Sequence, residues 1–155
     1  MQLDVRCQID QTDWKILELL QADGRLSFSE LGRQVSMSAP AVTERVRRLE
    51  EMGVITGYRA VVDHERLGAS IQAIIRVRTD RQNHDEAFEA MADRPEVRWC
   101  HVVTGDDCLV VKVACPDISA LEEATGFLAR FGSTTTSVVF STPIADAPVT
   151  PELVT

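Results

Sequence analysis

The sequence predicts an α+β protein: a helical N-terminal third, then a βαββαβ unit whose two helices lie on one face of a four-stranded sheet. Three observations carry this. Residues 9–52 place apolar side chains at helical spacing between strong caps. From Ile71 onward the apolar period drops to two in four separate runs. Two helical stretches interrupt those runs where a split βαβ unit needs them. The expected boundaries are a first domain over 1–63, a hinge over 64–69, a second domain over 70–142 and a loose tail over 143–155.

The first helix starts at Asp10, a good cap, with Asp13 complementing the positive helix end and Ile9 with Trp14 at staple spacing. Ile16, Leu17 and Leu20 supply its apolar face, and Asp23-Gly24 ends it. Ser27-Phe28-Ser29-Glu30 is a capping box, flanked by a second staple, Leu26 and Leu31. It opens a short helix from about Phe28 to Val35. Ser38-Ala39-Pro40-Ala41 caps the next helix and places proline in the first turn, where its missing N–H is harmless. That helix runs from about Ala39 to Met52, with Val42, Val46 and Leu49 inward and Gly53 as a left-handed terminator. Val54 to Val62 alternates around Gly57 and reads as a short hairpin, the wing of a winged helix.

Two capped helices joined by a tight turn, the second rich in Arg and Thr, are the anatomy of a helix-turn-helix that reads double-stranded DNA. The net charge of −8 is unevenly placed: five arginines face two glutamates from Arg25 to Arg48, while eight basic residues face fourteen acidic ones from His64 onward. Local field steers phosphates, so a basic patch on an acidic body implies salt-dependent binding and several copies acting together. Ala39, Pro40, Thr43, Glu44 and Arg47 stand early enough to approach base edges. Ser36, Ser38, Arg45 and Arg48 are placed for phosphates. The same polar side also reads as an ordinary solvated helix surface.

In the second domain Ile71, Ala73, Ile75 and Val77 alternate as a strand, and Asp85 to Ala92 reads as a helix. Val97, Trp99, His101 and Val103 alternate again, Gly105-Asp106 turns the chain, and Leu109, Val111, Val113 and Cys115 return antiparallel. Asp117 opens a helix carrying Ile118, Leu121, Ala124 and Leu128; a last strand covers about Thr134 to Ser141. The uncovered sheet face, expected to hold Trp99, Val103 and Val111, would be an apolar patch best buried against a second copy, giving a homodimer.

No apolar run approaches the ~18 residues of a membrane span, and no cleavable leader precedes Gln2, so a cytoplasmic protein is expected. Cys7, Cys100, Cys108 and Cys115 lack zinc-site spacing. His64, His84 and His101 form no cluster, and Cys100 and His101 point to opposite strand faces. No metal, cofactor or catalytic residue is expected.

Ile9-Asp10 through Leu17, Asp23-Gly24-Arg25 with Leu31, Ser38 through Leu49 to Gly53, Ile55-Thr56-Gly57-Tyr58, Val103-Thr104-Gly105 and Thr136-Ser137-Val138-Val139 together resemble the Lrp/AsnC, or feast/famine, regulators. The resemblance spans nearly the whole chain. It implies a winged helix-turn-helix followed by a ferredoxin-like effector domain of the RAM type. That domain dimerises and builds tetramers, octamers or larger rings on the nucleoid, tuned by an amino acid or related metabolite. It places effector contacts at Thr104, Gly105, Asp106, Asp107 and Cys108 and at Thr134, Thr136 and Ser137. Asp106 or Asp107 would meet an ammonium, and turn amides and threonine hydroxyls a carboxylate. Those residues equally read as a polar hairpin turn and the start of a strand. The family often has aspartate then an aromatic where this chain has Cys108 and Leu109. Two other functions are compatible with the same architecture. A siroheme-decarboxylase-like enzyme would need basic and histidine residues around a tetrapyrrole; a DNA-architectural protein would cover DNA uniformly.

Overall fold

The computed structural model describes residues 9–79, 84–106 and 108–154. Cys7 and Asp107 lie outside them, as does the side chain of His84. The chain divides into two compact units, Met1–Val61 with Ile144–Thr155, and Val62–Pro143. Among the described residues no helix is long and apolar enough to cross a membrane.

The first unit holds α1 (Gln11–Ala22), α2 (Phe28–Val35) and α3 (Ala39–Glu51). All three start where the caps predict. Asp10 and Asp13 form a reciprocal capping box on α1, as do Ser27 and Glu30 on α2. The Ser27 hydroxyl and N–H both bond Glu30, holding its carboxyl below the usual range. Ile16, Leu17, Leu31, Val42, Val46 and Leu49 form the core, with the staple residues Ile9, Trp14, Leu26 and Met37 packed around it.

The expected hairpin over Val54–Val62 does not form, and no residue there is a strand. The N–H groups of Val54 and Ile55 both bond the Leu49 carbonyl, at 2.9 and 3.1 Å, closing the end of α3 behind Gly53 at φ 70°. The first arm of a hairpin is thereby consumed as a helix stop, and Val61 stands 92% exposed. Tyr58 instead donates to Glu50 Oε1 at 3.0 Å; burial, then that carboxylate, pushes its phenol up to about 12.

The closing segment is not loose. It belongs to the helical unit and carries a short α6 (Pro151–Val154). Gln21 Nε2 donates to the Val149 carbonyl at 3.0 Å, and the Val149 N–H donates to Gln21 Oε1 at 2.7 Å. A glutamine side chain thus reproduces one rung of a strand pair.

The second unit runs β1 (Ile71–Arg78), α4 (His84–Ala92), β2 (Val97–Val102), β3 (Leu109–Cys115), α5 (Ile118–Leu128) and β4 (Ser133–Val138). The strands lie in the order β2-β3-β1-β4, all antiparallel, as the ferredoxin-like reading requires. Ala73, Ile75, Val77, Leu109, Val111, Val113 and Cys115 face a core shared with Ala87 and Met91 of α4 and Leu121, Ala124 and Leu128 of α5. Burial pushes the Cys100 thiol up; for Cys115 burial does so first, then Glu96 and Asp117.

The uncovered face differs from expectation. A bulge between Val97 and Trp99 reverses the phase of β2, so Trp99 pairs with Lys112 and His101 with Val110, while Cys100 pairs with Val111. Val111 is fully buried on the helix side. The outer face therefore carries Trp99, His101, Val110, Lys112, Ile74 and Arg76, with the Trp99 and His101 rings 4.6 Å apart. It is mixed in character, not an apolar sheet surface.

Candidate nucleic-acid interface and effector turn

The turn between α2 and α3 is three residues long and tightly held. Ser36 adopts the left-handed conformation at φ 57°, ψ 42°, and the Met37 N–H returns to the Gly32 carbonyl at 2.8 Å. A Cβ on Gly32 would stand 2.6 Å from the Met37 carbonyl oxygen, so the approach of turn to helix depends on that glycine. The Ser38 hydroxyl then accepts from the Ala41 N–H at 3.4 Å, and α3 begins.

With Val42, Val46 and Leu49 facing the core, helical geometry turns Pro40, Thr43, Glu44 and Arg47 outward, and all four are exposed. Ser36 and Ser38 are exposed beside them, and Ala39 is half-buried. The Thr43 hydroxyl donates to the Ala39 carbonyl at 2.8 Å, so its donor is spent within the helix. Arg47 Nε donates to Glu51 Oε1 at 2.9 Å, which raises its already high pKa. Both partners are more than 60% exposed, so water and salt screen the pair and it is weak. A guanine edge or a phosphate can take Arg47 from it.

Arg45 and Arg48, expected with Ser36 and Ser38 against phosphates, flank the outward stripe and reach toward α1. Arg45 reaches Asp10 Oδ2 at 2.7 Å and Asp13 Oδ1 at 2.8 Å, and Arg48 bonds Asp13 Oδ2. Asp13 is fully buried. Its expected part in complementing the helix end is thus joined by a larger one, a carboxylate bridging α1 to α3. Asp10 is held below the usual carboxylate range by the Asp13 backbone N–H and then by Arg45; Arg45 is raised by Asp10 and Asp13. The signal available in the sequence was the matched i,i+3 spacing of Asp10 with Asp13 and of Arg45 with Arg48. Gly32 carried no such signal, since its closest contact lies in the following turn.

In the second unit Thr104, Gly105 and Asp106 form an exposed bend between β2 and β3, with Gly105 at φ 114°. Arg78 Nε donates to the Asp106 carbonyl at 3.0 Å, and its guanidinium stands 3.8 Å from the Asp106 carboxylate. Cys108 N–H donates to the Val77 carbonyl at 3.0 Å, and Cys108 Sγ lies 2.9 Å from the Thr79 carbonyl. Val77 also pairs with Thr134 on its other edge. The turn and the start of β4 therefore flank the same end of β1, two strand spacings or about 10 Å apart. Thr134 and Thr136 share the helix side, where Thr136 Oγ1 lies 3.3 Å from Thr125 Oγ1 of α5. Ser137 alternates to the opposite face and is not brought together with them.

Residues 9–50 match the AsnC-type helix-turn-helix domain, and residues 72–149 match the Lrp/AsnC ligand binding domain. Over 86% of this chain and 93% of the relative, the sequence is 33% identical to the HTH-type transcriptional regulator LrpC of Bacillus subtilis. It is 38% identical to the leucine-responsive regulatory protein of Salmonella typhimurium over 76% of this chain and 74% of that one. A transcriptional regulator of Neisseria meningitidis, solved as its L-Met complex, superposes with a TM-score of 0.86 at 26% identity, covering 95% of this chain and 99% of that one. With both halves matched in order and the geometry of each in place, the chain belongs to the Lrp/AsnC family of transcriptional regulators.

Proposed function

We propose that this regulator binds operator DNA through the outward stripe of α3 as a homo-oligomer, and that an α-amino acid bound to the sheet unit tunes its assembly. The observation that carries this is the exposed run Pro40, Thr43, Glu44 and Arg47 behind a capped, glycine-tightened turn. Arg47 is assigned to a guanine edge and the Thr43 methyl to thymine. The Ser36 and Ser38 hydroxyls are assigned to phosphates, and Ala39 and Glu44 line the same approach. The outer sheet face, with Trp99, Val110 and Ile74 among Lys112 and Arg76, pairs with a second copy to set two α3 helices on successive half-sites. Further dimers join into a larger ring such as an octamer. The protein acts on DNA in the cytoplasm as a switch, not as a catalyst.

For the effector, the Neisseria relative solved with L-Met supports an amino acid. Asp106 or Asp107 is assigned to the ammonium, and the Gly105 turn amides with the Thr104, Thr134 and Thr136 hydroxyls to the carboxylate, Cys108 lining the turn; Ser137, on the opposite sheet face, is left out of this set. The experiment is footprinting on genomic fragments selected by the protein, with Arg47→Ala as the test variant. It should lower operator affinity by about 1–3 kcal/mol without moving the melting temperature. Undiminished binding refutes the assignment of α3. A thermal-shift screen of the twenty amino acids, with size measured alongside, tests the effector reading; no shift from any of them refutes it.

A further inference from the structure

The cations of α3 are not equally available. Every oxygen of the buried Asp13 carboxylate is engaged: Oδ1 by Arg45, Oδ2 by Arg48 and by the Asp10 N–H at 3.1 Å. Two acids, Asp10 and Asp13, thus balance two guanidinium groups that remain 28% and 44% exposed. Exposure alone would make Arg45 and Arg48 good phosphate ligands. Arg45 spends Nη1 and Arg48 spends Nη2 on the acids, so each keeps other N–H donors. Turning either head away to face a phosphate squarely, however, would strip a partner from a carboxylate with no access to water. One solvated phosphate contact returns less than that costs.

We infer that Asp13 is a positioning residue for DNA recognition: it holds Arg45 and Arg48 as struts between α1 and α3 and keeps them out of the phosphate contacts. Ionic attraction to any duplex is thereby kept low, and discrimination is left to the stripe bearing Arg47. This rests on the reading of α3 as the DNA surface, but the two fail differently.

The test uses the full chain and a duplex of about 40 base pairs of mixed sequence, with affinity followed by anisotropy from about 50 to 200 mM salt. Asp13→Asn keeps the shape and an acceptor for the Asp10 N–H but removes the charge. Each guanidinium released to a phosphate should steepen the slope of log affinity against log salt by about 0.9, so by up to about 1.8 per protomer, with tighter binding at low salt. A merely structural role would lower the melting temperature and leave the slope alone, and that result overturns the inference. Arg48→Ala decides the matter if Asp13→Asn fails to fold. With Arg48 committed to Asp13, its loss costs stability and leaves the slope unchanged; a slope reduced by about 0.9 means that Arg48 binds phosphate, and the inference is wrong. If the wild-type chain retains no duplex even at low salt, the DNA reading itself falls and takes this inference with it.

Discussion

Gly32→Ala tests whether the close approach of turn to helix is what shapes the reading surface. The added Cβ would meet the Met37 carbonyl oxygen at 2.6 Å, about 0.8 Å inside ordinary van der Waals contact. The obstructing atom is backbone, and it cannot swing away. Its own residue is tied back by the 2.8 Å bond from the Met37 N–H to the Gly32 carbonyl, and Ser38, next in line, caps α3. Overpacking of this kind costs about 3 kcal/mol at the upper end, against about 1 kcal/mol gained from replacing glycine inside a helix. The net loss of about 2 kcal/mol should lower the melting temperature of the helical unit by roughly 8–16 °C. Gly126→Ala in α5 is the matched control: nothing lies within 4 Å of its Cβ position, so the sheet unit should gain about 0.5–1 kcal/mol. The chain has two tryptophans, Trp14 in α1 and Trp99 in β2, so a Trp99→Phe background makes Trp14 fluorescence report the helical unit and a Trp14→Phe background makes Trp99 report the sheet. A Gly32→Ala protein melting at or above its parent would refute the reasoning.

Three further outcomes are expected. Ser36→Gly relieves a left-handed serine at φ 57° and should stabilise the helical unit by about 0.5–1 kcal/mol while weakening duplex binding through the lost hydroxyl; tighter binding would remove Ser36 from the phosphate contacts. Asp10 and Glu30 both have folded pKa values below their ordinary 3.8 and 4.5, so they contribute stability above those values and lose it as pH falls through the lowered ones. The melting temperature of the helical unit should therefore hold flat from neutrality and drop below about pH 4, and a drop beginning near pH 6 would contradict this. Gln21→Ala removes both bonds to Val149 and should speed exchange of the Val149 amide by about fivefold to thirtyfold, the equivalent of one to two hydrogen bonds; unchanged exchange would mean that packing alone holds the segment.

The helical unit was legible because its signals are local. Caps, staples and the terminating glycine act within five residues of one another, so the observed α2 matches the expected Phe28 to Val35 and α3 ends one residue before the expected Met52. What the sequence hid was long-range. The partnership of Asp13 with Arg45 and Arg48 spans more than thirty positions, and that of Gln21 with Val149 spans 128. The missing hairpin is a different case. Alternation in Val54 to Val62 was real, but two of its N–H groups had a nearer acceptor in Leu49, and a helix stop needs no partner strand.

The sheet shows why a correct topology can still present the wrong face. Val97, Trp99 and His101 alternate, and Val97 does meet the core opposite Val113. Continued without interruption, the same alternation would set Trp99 against Val111 and His101 against Leu109, two positions that are fully buried. One extra residue in β2 reverses that phase, so the small thiol of Cys100 fills the position opposite Val111 and the indole goes outward beside Lys112. Periodicity reads the same whichever face is inward. Volume accounts for the choice: beside a core of Ile75, Val111 and Leu128, a cysteine packs with far less displacement than a tryptophan would need. The proposed pairing with a second copy depends on that choice, because only the bulge brings the Trp99 and His101 rings, tilted by 32° at 4.6 Å, to the outer face.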